Sequence, residues 1–308
     1  MARRGGDKIT EYVLIKKNKM ATQLETWKLL TMDFSPELND ALQQQHHAAQ
    51  YIALVGRHLI PQKSDDSNTN MEFVPEKGML IGNPLSNGMK VGLQLSNLEL
   101  TVLDAKNNTL ETISFDGKSK KQAFAELKST LSSLRIDTSN FTDQLHYEIP
   151  THPLDNGALF SVQNEKYFIE NLNYRHNARL VLTEIAANID NAEAVKIWPH
   201  HFDTGSFISF SKNEKGEVSQ TIGLGFAIPD SMVDEPYYYL SFWSEEQKEK
   251  PNAFSPLKNG KWMVPTWNGA VLPLSDILNK KSATEQYNTV ETFFTETIDI
   301  VVNYLKNR

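Results

Sequence analysis

Apolar residues return at helical spacing twice along the chain. After Ser35-Pro36-Glu37, where serine can cap a helix whose first position tolerates proline, they fall at Leu38, Leu42, Ala48, Ile52, Val55 and Leu59. The pattern recurs at Phe168, Leu172, Ala178, Leu182, Ile185 and Ile189, each 130 residues on, and His46 and His176 share that offset. Ser119 with Gln122, and Ser282 with Glu285, have the spacing of capping boxes, in which hydroxyl and amide or carboxylate satisfy free N–H groups reciprocally. They open segments carrying Phe124, Leu127, Leu131 and Tyr287, Val290, Phe294, all 163 apart. Between the helices both halves read as strands. Val91-Gly92-Leu93 matches Ile222-Gly223-Leu224 at offset 131, and Phe73-Val74-Pro75 matches Ile197-Trp198-Pro199 at 124.

Strand runs bounded by helices predict an α+β fold rather than alternating α/β. The offsets predict two tandem homologous halves, each with antiparallel strands flanked by helices, related by a pseudo-two-fold. Two unrelated α+β halves remain the alternative, since helical spacing coincides easily. The expected division is a basic extension over 1–19, a first repeat over 20–136, a linker over 137–157 and a second repeat over 158–308 that carries the candidate site. The second half is 33 residues longer between its helices. That extra length lies around Pro229-Asp230, Asp234-Glu235-Pro236 and the Trp-rich stretch 243–267, and loops added to a scaffold are where function concentrates.

Composition narrows the picture. The 308 residues are 40% hydrophobic and 22% charged with net charge -7, a globular balance that disfavours nonspecific binding to nucleic acid or anionic membrane. Residues 1–19 carry six basic and two acidic residues, and are read as a solvated extension or as lying upstream of a working start at Met20. No run is apolar enough for a signal peptide core or a membrane span. The absence of cysteine removes disulfides, thiolate nucleophiles and Cys-ligated metal, and fits a cytoplasmic location. No phosphate-binding loop or G-x-S-x-G elbow is present, and Gly223-Leu-Gly225 lacks the third glycine of a dinucleotide turn.

The candidate chemistry centres on Ile197-Trp-Pro-His-His-Phe-Asp203. Read as extended chain, the stretch alternates. Trp198, His200 and Phe202 then share one face, and Pro199, His201 and Asp203 the other. His201 becomes the candidate general base or ligand, with Asp203 orienting it, and His200 becomes structural. A buried His–Asp hydrogen bond with no further role is the competing reading. A metal would need further ligands, the nearest acids being Asp230, Asp234 and Glu235, and no H-E-x-x-H or comparable spacing exists; no metal ligands or cofactor are assigned. In the repeat, Glu76 and Lys77 stand where His200 and His201 do, so the fold itself does not require histidines there. On a strand, Tyr237, Tyr239, Ser241 and Trp243 line one face, suited either to a ligand cleft or to a core. His46 and His47 lie in an amphipathic helix, where surface or boundary packing is the default.

Trp198-Pro-His-His-Phe-Asp203, the strand from Gly223 to Asp230, and Glu235-Pro-Tyr-Tyr-Tyr239 closed by Trp243 resemble an uncharacterised bacterial family with W-P-x-H-F-D and P-Y-x-Y motifs, similar to the group called domain of unknown function 5996. The resemblance covers the second half and implies no activity. Ile228-Pro229-Asp230 replaces its more usual glycine-rich turn. Together these readings predict a small-molecule-binding protein or enzyme. Its site would lie in the second half: His201 and Asp203 for catalysis, with Trp198, Asp230, Glu235, Tyr237, Tyr239 and Trp243 around the ligand. The alternative is a noncatalytic interaction or dimerisation module using the aromatic face, and a homo-oligomer is compatible with either.

Overall fold

Among the described residues every strand pairing is antiparallel, and eleven strands join into one sheet. The computed structural model describes residues 27–245 and 254–307, so the basic segment 1–19 lies outside it. Helix α1 (Pro36–Leu59) leads into β1 (Met71–Val74), β2 (Met79–Gly82), β3 (Lys90–Gln94), β4 (Glu99–Leu103) and β5 (Thr109–Ser114), followed by α2 (Lys120–Ser133). Helix α3 (Glu165–Ala186) leads into β6 (Lys196–Trp198), β7 (Asp203–Lys212), β8 (Val218–Ala227) and β9 (Tyr237–Ser244). Then come β10 (Lys261–Trp262), β11 (Gly269–Pro273), the short α4 (Leu274–Leu278) and α5 (Ala283–Lys306). The sheet order is β10-β11-β9-β8-β7-β6-β1-β2-β3-β4-β5, with Met71 opposite Ile197 at the seam between β1 and β6.

The helix starts follow local chemistry. Ser35 accepts from Leu38 N at 3.2 Å, with Pro36 in the first turn. Ser119 and Gln122 form the full reciprocal capping box, whereas Ser282 accepts from Glu285 N but gives its own hydroxyl to the Glu285 carboxylate. The second cap therefore shows the hydroxyl half of the predicted box.

Helices cover one face of the sheet. Tyr174, Ala178 and Leu182 of α3 and Tyr287, Val290 and Phe294 of α5 pack on Ile222, Leu224, Tyr238, Leu240 and Phe242. Leu42, Ile52 and Val55 of α1 pack on Leu80, Val91, Leu93 and Leu100, and that core also takes in Phe168, Ile197 and Phe202 from beyond the chain's midpoint. Strand alternation then puts Asp203, Gly205, Gly223, Gly225, Tyr237 and Tyr239 on the opposite face.

The β1–β2 and β6–β7 hairpins have matching turns. Val74 pairs with Met79 around Pro75–Gly78, and Trp198 with Asp203 around Pro199–Phe202. The last turn residue is left-handed in both: Gly78 has φ 59 and Phe202 has φ 52. Glycine adopts this conformation freely, whereas an L side chain is strained by about 1–2 kcal/mol. Phe202 is fully buried, and packing holds it there. A comparison of Phe202→Ala with Phe202→Gly in urea unfolding isolates the strain. Both variants lose the ring's burial, but the glycine variant is expected to be the more stable by about 1 kcal/mol, reversing the usual preference for alanine over glycine.

Candidate functional site

The stretch 197–203 is a strand end, a tight turn and a new strand rather than continuous extended chain. Phe202 N donates to Trp198 O at 2.7 Å and closes the turn. The expected alternation therefore does not hold. His200 and His201 sit side by side with ring centroids 4.4 Å apart, and both line the same cleft. The expected orientation of His201 by Asp203 is also absent: Asp203 Oδ2 accepts from the Tyr239 hydroxyl at 2.5 Å, and no hydrogen bond joins it to His201 among the described residues.

Three stacked groups hold the turn. The Phe202 ring lies parallel to His46 of α1, with centroids 4.9 Å apart and planes 6° apart. The Arg175 guanidinium of α3 sits 3.9 Å from the Phe202 ring centroid. Arg175 is fully buried, and it donates to the Phe202 carbonyl and to Thr204 Oγ1, the latter at 2.8 Å. Burial lowers its pKa to about 9, opposed by the Asp203 charge, so it stays cationic at neutral pH. Arg175 is a cation on the apolar stripe of Leu172, Ala178 and Leu182, a sequence signal of a buried, partnered charge that had not been read.

The cleft beside this stack encloses ≈ 290 Å³. His46, His200, His201 and Asp203 form one side, and Asp230, Tyr237, Tyr239 and Trp267 the other. Tyr237 donates to Asp230 Oδ2 at 2.7 Å, and Asp230 Oδ1 accepts the backbone N–H groups of Met232 and Val233, which shapes the loop after β8. Tyr239 lies over a glycine: a Cβ on Gly225 would lie 2.5 Å from the Tyr239 hydroxyl oxygen. Burial and the adjacent carboxylates push both tyrosine hydroxyls above their ordinary pKa, so they remain donors.

Of the residues expected at the site, His201, Asp203, Asp230, Tyr237 and Tyr239 line this cleft, and three do not. Trp198 meets the His200 ring at 6.4 Å and contributes no wall of its own. Both Glu235 oxygens are taken by Ser275, Oε2 by its N–H and Oε1 by its hydroxyl, at the start of α4, where Pro273 supplies no side-chain cap. Trp243 shares a face with Tyr239 but lies four residues along β9, roughly 13 Å away at strand rise. It is 47% exposed, beside Phe207 and the far edge of Trp267. The aromatic face is thus divided between two places.

His46 was expected at a surface or boundary and is instead fully buried in the cleft wall. Its Nε2 lies 2.8 Å from the Pro199 carbonyl, an acceptor only, so that nitrogen carries the proton. Burial lowers the ring's pKa to about 3, which keeps it neutral. Nδ1 is then an unprotonated acceptor, and it has no partner among the described residues. His200 is also pushed below the ordinary histidine value, chiefly by burial and then by His201. Only tertiary folding brings α1 here; the signal left in the sequence was a histidine pair on a helix otherwise lined with Leu, Ile and Ala. No group of three or more His, Asp or Glu among the described residues has metal-holding geometry.

Two outcomes check this geometry. Gly225→Ala is expected to displace Tyr239 from Asp203 and to destabilise by about 1–3 kcal/mol, read as a lower urea midpoint and a changed tyrosine signal in near-UV circular dichroism. The second concerns pH. His46 and His47 have folded pKa values lowered from 6.5 to about 3 and about 4, both mainly by burial. The unfolded chain takes up protons that the folded one refuses, so their contribution is complete above pH 6.5 and is lost as pH falls toward 4. The slope is about 1.4 kcal/mol per pH unit for each ring, and His46→Gln is expected to remove one ring's share from urea titrations across that window.

Neither a family model, nor a curated protein, nor a solved structure matches this chain.

Proposed function

We propose that the cleft between α1, the β6–β7 turn and the loop after β8 binds a small organic molecule, with His201 as the group that exchanges protons with it. The observation that carries this reading is the convergence of His46, His200, His201, Asp203 and Asp230 on one cavity of ≈ 290 Å³ walled by Tyr237, Tyr239 and Trp267. Apolar walls with a few convergent polar groups are the usual composition of a ligand site. His201 is exposed at the rim of the cleft, where its imidazole can meet a bound molecule. The hydrogen bond of Asp203 goes to Tyr239.

The two halves are inferred to be copies of one ancestral unit with a pseudo-two-fold between them. Three features support this reading. Strand order runs outward in sequence from β1 to β5 and from β6 to β9, α2 and α5 begin 163 residues apart, and the two Pro-x-x turns both end in a left-handed residue. In this reading one turn kept Glu76, Lys77 and glycine, and the other acquired His200, His201 and Phe202 as it became part of a site. A second use of the aromatic face, docking a protein partner or another copy of the chain, draws support from the exposed Phe207 and Trp243 outside the cleft. No helix among the described residues is long and apolar enough to cross a membrane.

Ala227 lines the cleft at the end of β8, and a tryptophan there would fill it. Equilibrium dialysis of the full chain against a small-molecule cell extract, read by mass spectrometry, tests the proposal. Compounds retained by the wild type are expected to be lost with Ala227→Trp and weakened by His201→Ala, provided both variants keep the wild-type circular dichroism. Identical retention by wild type and folded Ala227→Trp would exclude the cleft.

A further inference from the structure

We propose that the molecule taken by this cleft is a small organic amine bound as its ammonium ion, held between Asp203 and Asp230 against the faces of Tyr239 and Trp267. This inference rests on the reading of the cleft as a ligand site and names the chemistry of its occupant.

The argument starts from an inventory of donors and acceptors. Asp203 spends Oδ2 on the Tyr239 hydroxyl, and Oδ1 accepts no hydrogen bond among the described residues. Asp230 takes the Tyr237 hydroxyl and two backbone N–H groups, which fix its carboxylate in place without neutralising it. His46 is a fully buried ring in the wall whose Nδ1 lone pair has no donor. The two tyrosine hydroxyls have already committed their protons to the carboxylates. His200, His201 and Trp267 also line the cleft and each keeps a ring N–H, but the acceptors left unclaimed, Asp203 Oδ1 and His46 Nδ1, are satisfied by an N–H-bearing ligand and not by a carboxylate ligand.

Charge points the same way. The nearest cation is Arg175, but its guanidinium is fully buried behind the Phe202 ring and donates to Thr204 and the Phe202 carbonyl. It offsets the field of one carboxylate and presents no N–H to the cleft. Two carboxylates against one screened cation leave the cavity negative, and Asp66, which holds His146 at 2.9 Å, adds to the field at His200. An anionic ligand would meet Asp203 and Asp230 with no lysine or arginine among the cleft's lining residues to compensate it.

The aromatic walls supply the remaining part. Tyr239 and Trp267 meet at 71° with centroids 6.4 Å apart, and Tyr237 meets Tyr239 at 57° and 6.3 Å. Rings inclined to one another around a negative pocket form the partial cage that attracts an ammonium through its ring quadrupoles. The cavity of ≈ 290 Å³ limits the guest to a small molecule.

Benzylamine, benzyl alcohol and benzoate share one ring and differ in the charge of the attached group, so they separate the possibilities. The probes are titrated into the full chain at pH 7.5 and followed by the ring C–H signals of His200 and His201 in NMR, assigned with His200→Gln and His201→Gln. Benzylamine is expected to shift these signals and to bind at least about tenfold more tightly than either isostere, a difference of about 1.4 kcal/mol. Asp230→Asn is expected to reduce that preference, and Asp203→Asn, which removes the other carboxylate charge, is expected to do the same and serves if Asp230→Asn fails to fold. Benzyl alcohol or benzoate binding as tightly as benzylamine through the same signals would overturn the amine assignment and leave the cleft standing as a ligand site. If none of the three moves either ring, the amine assignment and the cleft reading both fall.

Discussion

A buried arginine organises the centre of this molecule. Arg175 is carried by α3 into a region with no water to solvate it, and a charge in that position is tolerated only with hydrogen bonds and compensating charge close by. The β6–β7 turn supplies them: the Phe202 carbonyl, the Thr204 hydroxyl, the face of the Phe202 ring and the field of Asp203. These contacts hold the turn in place, including a phenylalanine in a conformation that suits glycine. The Phe202 ring stacks in turn on His46, and the turn displays His200 and His201 beside each other. The polar side of the cleft is built around that one buried charge.

The opposite side depends on the absence of side chains. Gly205, Gly223 and Gly225 leave bare backbone on one face of β7 and β8, and Tyr239 lies down over Gly225 to reach Asp203. Further along β9, Gly223 and Ser241 lie in a separate groove bordered by Phe207, Trp243 and Trp267. The loop after β8, braced by Asp230, and the segment bearing Trp267 convert a flat sheet face into a cavity. Both belong to the length by which the second half exceeds the first.

Much of the scaffold and part of the site were legible from local rules. Ser35-Pro36 and Ser119…Gln122 announce helices because capping involves only neighbours in sequence, and the α+β class follows from elements whose periodicity is equally local. Asp203, Asp230, Tyr237 and Tyr239 could be named because polar and aromatic residues cluster at the ends of β7, β8 and β9. The alternation rule failed at Pro199–Phe202, since it presumes extended chain and the chain turns there. It misled at Trp243, since sharing a face of a strand says nothing about distance along it.

The sequence by itself determined where the capped helices α1, α2 and α5 begin and which residues of β9 face together, and it marked residues 200–240 as rich in His, Asp and Tyr. Those properties depend on contacts a few residues apart. Tertiary structure decided that His46 meets Pro199 across 153 positions, that Trp267 closes the cavity and Trp243 does not, and that Glu235 is consumed by Ser275. Such choices are made by packing, where burial settles which histidine stays neutral and which carboxylate keeps an unclaimed oxygen. No local pattern encodes them.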